Sequence, residues 1–286
     1  MILVTGATGT VGSEVTRQLV NEGQPVRVLV RDPRKVEGLR GRVEIAVGDL
    51  DRPETVDGAM QGVSAVFLVT LKASQDVTVL EAARKAGVGR IVKLSTGEAA
   101  EAKILIGKWA REREILVERS GIAWTFLRPN MFMSNSLEWW GATIREQDAV
   151  FFPGGSGKAA PIDPADIAAV AVKALTMPGH EGCAYSLTGP QQLSIAEMVE
   201  TIGQAVGRPL RYTNIPPLVA GIWLVRSGLS LTMAYAVMQI IDTLRRGERS
   251  PLTDTVERVT GRPPRSFADW CRAHADAFRP AVQSTH

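Results

Sequence analysis

Three glycines in one short turn constrain the fold of this chain more than any other feature. The segment reads Val4-Thr5-Gly6-Ala7-Thr8-Gly9-Thr10-Val11-Gly12, a T-G-x-x-G-x-x-G pattern between a short apolar run and an amphipathic helical pattern. Gly6 permits a tight turn, Gly9 lets the backbone approach a pyrophosphate, and Gly12 lets helix and strand pack closely. The first amides of the helix then face the phosphates with the positive end of the helix dipole. The pattern predicts a dinucleotide-binding turn; the alternative is a glycine turn of purely structural role.

The first half of the sequence alternates short apolar runs with longer helical patterns. Six runs are predicted as strands: Ile2 to Val4, Val26 to Val30, Val43 to Val47, Ala65 to Val69, Ile91 to Leu94 and Trp124 to Leu127. Helices are predicted at Val11 to Asn21, with Val11, Val15 and Leu19 on one face, at Pro53 to Met60, and at Gln75 to Ala86, with Val77, Leu80 and Ala83 in register. Such an alternation indicates parallel strands joined by right-handed crossovers, covered on both faces. We predict an α/β fold with a doubly wound parallel sheet, the Rossmann architecture.

The second half of the sequence predicts a smaller, mostly helical lobe. We expect helices from Asp163 to Thr176, from near Ser194 and from Pro217 onward, with one short strand at Ala184 to Leu187. Ser194 and Glu197 have the spacing of a capping box. We expect a nucleotide-binding domain over residues 1–150 and a substrate or partner lobe over residues 151–286, partly interleaved with it. Whether the tail after residue 215 covers a pocket or meets a partner stays open.

Composition and charge argue against several classes of protein. The chain has 33 basic and 30 acidic residues, and a net charge of +3 gives little support for nucleic-acid binding. Cys183 and Cys271 lack neighbouring Cys or His at metal-ligand spacing, so we expect neither a disulfide scaffold nor a metal site. With no secretory signal in the first residues, this usage favours the reducing cytoplasm. Polar residues interrupt the apolar stretch from Leu218 to Leu244, so no membrane span is expected.

The end of the second predicted strand carries a cluster of charged residues. In a dinucleotide-binding fold an acid at this tip hydrogen-bonds the 2′-hydroxyl of the adenosine ribose, whereas an arginine accommodates a 2′-phosphate. Arg31 occupies the tip, and Arg34 or Lys35 would complete a cationic clamp. The sequence therefore favours NADP(H) over NAD(H). The alternative is that Arg31 is a solvated loop residue and that Asp32 binds the ribose.

Several short phrases, taken in order, resemble the NmrA-like branch of the atypical short-chain dehydrogenase/reductase superfamily. They are Val4 to Gly12, Val26 to Pro33, Gly48 to Leu50, Gly62-Val63, Ala82 to Val88, Leu94-Ser95 and Trp124 to Asn130, followed by Ile162 to Ala168 and Leu193 to Glu197. The likeness extends to about residue 215 and fades in the tail. It implies NAD(P) binding and similarity to proteins of the quinone oxidoreductase and triphenylmethane reductase type.

The resemblance also implies which residues contact the cofactor. Ala7, Thr8, Gly9, Thr10 and Val11 would meet the pyrophosphate, Arg31 the adenosine phosphate, Asp49 and Leu50 the adenine, Val69 and Thr70 the middle of the cofactor, and Ser95, Thr96, Pro129 and Asn130 the nicotinamide ribose and ring. Each lies at the carboxyl end of a predicted strand or in the loop after it, where open α/β sheets bind ligands. Two alternatives stay open: Asp49 as a turn cap, and Ser95 as a loop hydroxyl bonded to the backbone.

The usual proton donor of the wider superfamily is missing from this sequence. Ordinary members carry a Tyr-x-x-x-Lys pair on the helix after the fifth strand, and related atypical families place His or Lys there; Ala110 stands at the matching position. The tyrosines and histidines all lie later in the chain, at Tyr185, Tyr212, Tyr235, His180, His274 and His286. Lys103, Lys108, Glu114, Ser95 and an ordered water are the remaining candidates, and the sequence selects none of them. The catalytic residues therefore stay unknown.

This absence bears on the substrate. A ketone needs a proton as hydride arrives, and general acid catalysis contributes about 10²–10⁴-fold; a quinone, a cationic dye or a conjugated carbonyl needs that donor less. We expect an NADPH-dependent oxidoreductase that reduces such an electron-poor small molecule. Apolar residues after the sixth strand would wall its site, or pack between lobes: Met131, Phe132, Met133, Trp139, Trp140, Phe151 and Phe152. The rival hypothesis is a non-catalytic redox sensor that binds NAD(P) and acts through a protein partner.

Overall fold

A seven-stranded parallel sheet organises the protein. The computed structural model describes residues 1–247 and 251–280, so His286 lies outside the described residues. The strands are β1 (Ile2–Thr5), β2 (Val26–Val30), β3 (Glu44–Val47), β4 (Ala65–Leu68), β5 (Arg90–Leu94), β6 (Ala123–Pro129), β7 (Ala149–Phe151), β8 (Lys158–Ala159), β9 (Cys183–Leu187), β10 (Leu193–Ser194) and β11 (Arg211–Thr213). The central sheet has the order β3-β2-β1-β4-β5-β6-β9, with every neighbouring pair parallel. The predicted doubly wound α/β fold is thereby confirmed.

Helices cover both faces of this sheet. Their bounds are α1 (Thr10–Asn21), α2 (Ala73–Lys85), α3 (Leu105–Arg119), α4 (Asn135–Gln147), α5 (Pro164–Thr176), α6 (Ile195–Val206), α7 (Pro217–Arg226), α8 (Leu231–Arg245), α9 (Thr255–Thr260) and α10 (Phe267–Ala273). Helices α1 and α5 pack together on one face, and α2 and α3 on the other. Successive strand residues point to opposite faces, so Phe67 and Val92 join the core below α1 and α5, while Leu68 and Ile91 join the core below α2 and α3. The strands are apolar because both faces are buried.

The faces of the first two helices test the periodicity argument. Val11, Val15 and Leu19 of α1 are buried, as predicted. The face predicted for α2 is wrong in one position, because Val77 is exposed while its neighbour Asp76 is fully buried. Adjacent helical residues point about 100° apart, and the position that faces the sheet is taken by a carboxylate with buried partners, which are described below.

The predicted helix from Pro53 to Met60 is also wrong. The segment forms two separate 3₁₀ turns, Pro53–Thr55 and Gly58–Met60. Val56, Ala59 and Met60 are nevertheless buried in the same core as α2 and α3. The segment therefore contributes to the core without being a helix, since Gly58 in the middle of a short segment disfavours a continuous helix.

The second half contains more strands than its sequence predicts. The short pairs β7 with β11 and β8 with β10 were not anticipated, because strands of two or three residues are too short to show an alternating pattern. The strand expected at Ala184 to Leu187 is present as β9, and it pairs with β6 as the seventh strand of the central sheet. A division of the chain near residue 150 stays a prediction.

A third core holds the later helices together. Trp140 of α4, Met198 of α6 and Trp270 of α10 are buried in one apolar cluster. The predicted capping box at the start of α6 is confirmed: Glu197 N–H donates to Ser194 Oγ at 3.2 Å, and Ser194 N–H donates to Glu197 Oε2 at 2.7 Å. These later helices therefore have their own interior beside the sheet.

The tail forms a helical hairpin that reaches back to the first half of the chain. Helices α7 and α8 pack together, and α8 also contacts α3. The N–H of Leu105, at the start of α3, donates to Gln239 Oε1 of α8 at 3.1 Å. Several large apolar side chains of the hairpin remain exposed, among them Leu218 and Leu231 at 76% each. None of the described helices is both long and apolar enough to cross a membrane.

Candidate functional site

The glycine turn has the geometry that its spacing predicts. Gly6 has φ +65°, a left-handed conformation that favours glycine. A Cβ atom on Gly12 would lie 2.1 Å from the carbonyl oxygen of Gly6, so the helix can approach the turn only without a side chain there. Gly9 is exposed and precedes α1; within the described residues no side chain caps this helix end, and no acidic residue lies in its first turn. The first amides of α1 are thus available to an anion.

Thr5 locks the turn to the neighbouring strand. Its Oγ1 accepts the N–H of Val69 at 2.7 Å and lies 3.0 Å from the carbonyl oxygen of Val69, to which it donates. The side chain of Val69 lies against Gly6, since a Cβ on Gly6 would stand 3.0 Å from Val69 Cβ. Val69, predicted to contact the middle of the cofactor, therefore borders the glycine turn.

The charged cluster after β2 contains one ion pair and three exposed cations. Asp32 accepts from the N–H of Arg34 at 3.0 Å and from its Nε and Nη2 at 2.9 Å each. These hydrogen bonds from Arg34 lower the pKa of the Asp32 carboxyl. Arg31 and Lys35 are exposed at the same strand end. All three cations are therefore exposed at this strand end, and Arg34 is in addition paired with Asp32.

The loop after β3 holds Asp49 and Leu50. Asp49 N–H donates to Thr55 Oγ1 at 2.9 Å, and Asp49 Oδ1 accepts the N–H of Asp51 at 3.0 Å. Asp49 thus acts as a turn cap, the alternative left open by its sequence. Leu50 is partly buried against the core below α2 and α3.

The loops after β5 and β6 meet at the other end of the site. Ser95 N–H donates to the carbonyl oxygen of Leu127 at 2.8 Å. Asn130 N–H donates to Leu187 O at 2.9 Å, and its Oδ1 accepts the N–H of Met131 at 2.8 Å. Thr96 precedes a 3₁₀ turn, Gly97–Ala99, in which a Cβ on Gly97 would stand 3.4 Å from the carbonyl oxygen of Pro129. Ser95, Thr96, Pro129 and Asn130 therefore share one region.

The sheet order brings all these loops to one edge. The carboxyl ends of parallel strands lie at the same side of a sheet, and the order changes direction between β1 and β4. The glycine turn follows β1 at this switch point, where open α/β sheets bind ligands. Arg31, Lys35, Asp49 and Leu50 lie on the β2 and β3 side, whereas Thr70, Ser95, Thr96, Pro129 and Asn130 lie on the β4, β5 and β6 side. Contact of each residue with a nucleotide stays a prediction.

A buried ionic cluster behind Thr70 was missed by the sequence analysis. Lys93 Nζ donates to Asp76 Oδ1 at 2.6 Å and to Thr70 Oγ1 at 3.1 Å, and Arg113 Nε donates to Asp76 Oδ2 at 2.7 Å. Thr70 Oγ1 itself donates to Asp76 at 2.7 Å. Its hydroxyl proton is therefore directed into the protein. The available signal was Lys93 itself, a lysine in the middle of an apolar strand.

Burial dominates the chemistry of Lys93. Its side chain is 1% exposed, and desolvation lowers its pKa from 10.5 to about 8; the nearby Asp76 opposes this shift and Arg113 adds to it. Asp76 is fully buried. The cluster therefore pairs charges in a place where the ammonium form is disfavoured.

A second buried cluster holds the hydroxyl of Ser95. Ser95 Oγ donates to Glu114 Oε1 at 2.6 Å, and the same carboxylate accepts from Arg128 Nε at 3.0 Å and Nη2 at 2.6 Å. The alternative in which the Ser95 hydroxyl bonds to backbone is wrong, because its partner is a carboxylate on α3. Glu114 was named from the sequence, but its pairing with Ser95 could not be inferred.

The remaining proton-donor candidates lie elsewhere. Lys103 is 76% exposed and pairs with Glu101 at 2.8 Å, and Lys108 is also exposed. His180 and Tyr185 contact each other at 2.8 Å, but His180 precedes β9 and so lies at the opposite edge of the sheet. No group of three or more metal-ligating side chains occurs within residues 1–247 and 251–280.

The predicted aromatic wall is partly core and partly exposed. Met133 and Trp140 are buried, each 1% exposed. Trp139 is 49% exposed and stacks on Phe152, with ring centroids 5.8 Å apart. Phe151 meets Trp223 of α7 edge to face at 6.5 Å. Trp223, 47% exposed, was missed because the sequence alone does not show where the tail packs.

Comparison with known proteins agrees with this geometry. Residues 6–178 match the model of a family described as NAD(P)H-binding. The chain is 43% identical to the NAD(P)H azoreductase of Xenophilus azovorans and 41% identical to the (4-alkanoyl-5-oxo-2,5-dihydrofuran-3-yl)methyl phosphate reductase of Streptomyces griseus, over 98% of this chain and 100% of each relative. Among solved structures, it is similar to the NADPH-dependent quinone oxidoreductase QOR2 of Escherichia coli in complex with NADPH, with a TM-score of 0.84, 25% identity and coverage of 96% of this chain and 99% of that one.

Replacement of Lys93 by Met is expected to change how stability depends on pH. Because the folded-state pKa of about 8 lies below the ordinary 10.5, the unfolded chain binds more protons between these values, and the free energy of unfolding rises with pH across the window. A shift of this size corresponds to about 3 kcal/mol. Urea denaturation at pH 7.5 to 10.5 should show wild type gaining about this much relative to Lys93→Met. In the control Lys108→Met, which replaces an exposed lysine, the free energy of unfolding should change with pH as it does in wild type. If it changed equally with pH in all three proteins, the lowered pKa of Lys93 would be contradicted.

Proposed function

We propose that this chain, which belongs to the NAD(P)H-binding family of NmrA-like proteins, is a reductase that passes hydride from NADPH to an electron-poor small molecule. The observation that carries the proposal is the row of strand-end loops on one edge of the sheet, with an uncapped glycine turn at the switch point. Two relatives that share more than 40% of its residues over their whole length are named as reductases.

The residues of the edge fit a dinucleotide. Gly6, Ala7, Thr8, Gly9, Thr10, Val11 and Gly12 would hold the diphosphate with main-chain amides; Asp49 and Leu50 would border the adenine, Val69 and Thr70 the centre, and Ser95, Thr96, Pro129 and Asn130 the nicotinamide half. The fit is supported by the exposure of Gly9 and by the tight contact at Gly12. The hydroxyl of Thr70 donates its hydrogen bond to Asp76, so Thr70 would contact the cofactor with its backbone or its methyl group. When bound, the cofactor supplies the hydride.

The preference for NADPH rests on the strand end after β2. Arg31 and Lys35 are exposed there, and a 2′-phosphate is an anion that guanidinium and ammonium groups bind well. Asp32, the rival ribose ligand, already accepts hydrogen bonds from Arg34 and keeps a lone pair for a ribose hydroxyl, so the preference rests on the two cations. This arrangement supports NADP(H) over NAD(H).

The acceptor would lie against the exposed aromatic side chains. Trp139 and Trp223 present flat apolar surface, and Phe151 and Phe152 support them from β7 and the residue after it. Flat, conjugated molecules such as quinones, dyes and unsaturated carbonyls suit such a surface. They also stabilise negative charge themselves, which matters because the hydroxyl of Ser95 donates inward to Glu114. The chain would contribute orientation and exclusion of water.

A sensor without catalysis is the second candidate. The exposed apolar side chains of the α7–α8 hairpin favour it, since Leu218, Leu231 and Tyr235 are 76%, 76% and 60% exposed and would suit a protein partner. In this form the chain would bind NAD(P) in the same place and report its oxidation state.

One experiment separates the two functions. Purified protein is titrated with NADPH, NADP, NADH and NAD by fluorescence, and then mixed with NADPH and a panel of quinones, triarylmethane dyes, azo dyes and enones while the absorbance of reduced cofactor is followed. Turnover with any acceptor is the expected result. Tight binding that differs between oxidised and reduced nucleotide, without turnover, would support the sensor instead.

Arg31→Asp should weaken NADPH binding and leave NADH binding unchanged. The loss of a charge-assisted contact to phosphate is worth about 1.5–3 kcal/mol. Isothermal titration calorimetry with both nucleotides measures the difference. Arg34→Ala serves as the control, since Arg34 is paired with Asp32 and its loss should cost NADPH affinity less. Equal weakening of NADPH and NADH by Arg31→Asp would mean that Arg31 does not bind the phosphate.

Trp223→Ala should raise KM for the acceptor and leave KM for NADPH unchanged. Removal of one aromatic contact corresponds to about 0.5–1.5 kcal/mol, or roughly three- to tenfold. Steady-state kinetics with a quinone or dye that turns over provides the measurement, and Trp223→Phe should restore most of the affinity. A change in KM for NADPH alone would remove Trp223 from the acceptor site.

A further inference from the structure

A buried carboxylate stands directly behind the hydroxyl at the end of β5. Ser95 Oγ donates to Glu114 Oε1 at 2.6 Å, and Glu114 has no solvent exposure. The backbone of Ser95 is held at the same time, because its N–H donates to Leu127 O at 2.8 Å. Main chain and side chain of Ser95 are therefore both fixed, and its proton points into the protein.

The shell around Glu114 keeps the hydrogen bond in this direction. Arg128 binds the carboxylate with two nitrogens, at 3.0 and 2.6 Å, and Arg111 Nη1 reaches Oε2 at 3.3 Å. Guanidinium groups donate hydrogen bonds and do not accept them. Glu114 is therefore the acceptor in each of these hydrogen bonds. Arg111 is itself held by Glu118 at 2.7 Å. Glu114 has no partner in this shell that would turn it into a donor.

A hydroxyl that already donates its one hydrogen bond can only accept a hydrogen bond from a ligand. Ser95 lies in the loop between β5 and α3, at the end of the site proposed for the nicotinamide half of the cofactor. That half carries ribose hydroxyls and a carboxamide N–H, all of which donate. The chemistry of the two sides is complementary.

We propose that Glu114 is a positioning residue: it holds Ser95 as a hydrogen-bond acceptor for the nicotinamide half of the cofactor and prevents Ser95 from serving as the proton donor to the acceptor molecule. This inference rests on the proposed function. A purely structural Glu114 would fasten α3 to β6 through Arg128 alone, and Ser95 would then be dispensable.

Nucleotide binding tests the inference without turnover. Ser95→Ala and Glu114→Gln should each weaken NADPH about three- to tenfold, the size of one hydrogen bond, and should leave adenosine 2′,5′-bisphosphate unaffected, because that nucleotide lacks the nicotinamide half. The double variant should bind NADPH as Ser95→Ala does, since Glu114 acts through Ser95. Additive losses, or equal weakening of the bisphosphate, would overturn the proposal.

Control variants separate positioning from folding. Glu112→Gln alters an exposed carboxylate of the same helix, outside the shell around Glu114, so it should leave NADPH affinity at the wild-type value. If Glu114→Gln fails to fold, Glu114→Asp keeps the charge between the two guanidiniums and withdraws it from Ser95, with the same expected loss. Wild-type affinity for NADPH in Ser95→Ala would by itself refute the inference.

The pH dependence of hydride transfer tests the second half of the proposal. Single-turnover rates of Ser95→Ala should be lower than wild type at every pH, with a profile of the same shape. Loss of a limb of that profile in Ser95→Ala would mean that Ser95 relays a proton, contrary to the proposal. If wild type reduces no acceptor in the panel, the reductase function fails, while the nucleotide affinities still decide whether Glu114 positions Ser95.

Discussion

The glycine turn at the carboxyl edge of the sheet depends on a close contact between two stretches of main chain. The carbonyl oxygen of Gly6 occupies the place where any side chain on Gly12 would begin. This close approach brings the first turn of α1 onto the end of β1 and points its amides across the sheet edge. Thr5 then fixes Val69 beside the turn through its hydroxyl. The order of the other strand ends follows from the sheet.

A polar layer lies under the ends of β4, β5 and β6 at that edge, within an otherwise apolar interior. Lys93 and Arg128 point from β5 and β6 toward the face covered by α2 and α3, where Asp76, Arg113 and Glu114 meet them. Buried ion pairs seldom add net stability, because desolvation offsets the attraction between the charges. The gain here is a fixed geometry: the hydroxyls of Thr70 and Ser95 each have one direction in which to donate.

The sequence predicts the frame of the site better than its interior. The glycine turn, the ends of β2 and β5 and the first helix were placed within one or two residues, because their signals are local: spacing, periodicity and a strand that is apolar throughout. The pairing of Ser95 with Glu114 joins a loop to a helix, and that of Lys93 with Asp76 joins a strand to the helix before it. Neither pairing has a local sequence pattern. Because Asp76 is buried, the observed buried face of α2 also differs from the predicted one at Val77. Trp223 was missed for a different reason, since it depends on where the hairpin packs.

The hydrogen bond from the start of α3 to Gln239 joins parts of the chain that are 134 residues apart. Helix α3 carries Arg113 of the Asp76 cluster and both Arg111 and Glu114 of the Ser95 cluster. The hairpin therefore contacts the helix that contributes residues to both buried clusters. A change in how the tail packs would therefore act on the helix that carries Glu114, the partner of the Ser95 hydroxyl. A chain cut before α8 would lose this anchor along with the hairpin surface, although its glycine loop would be complete.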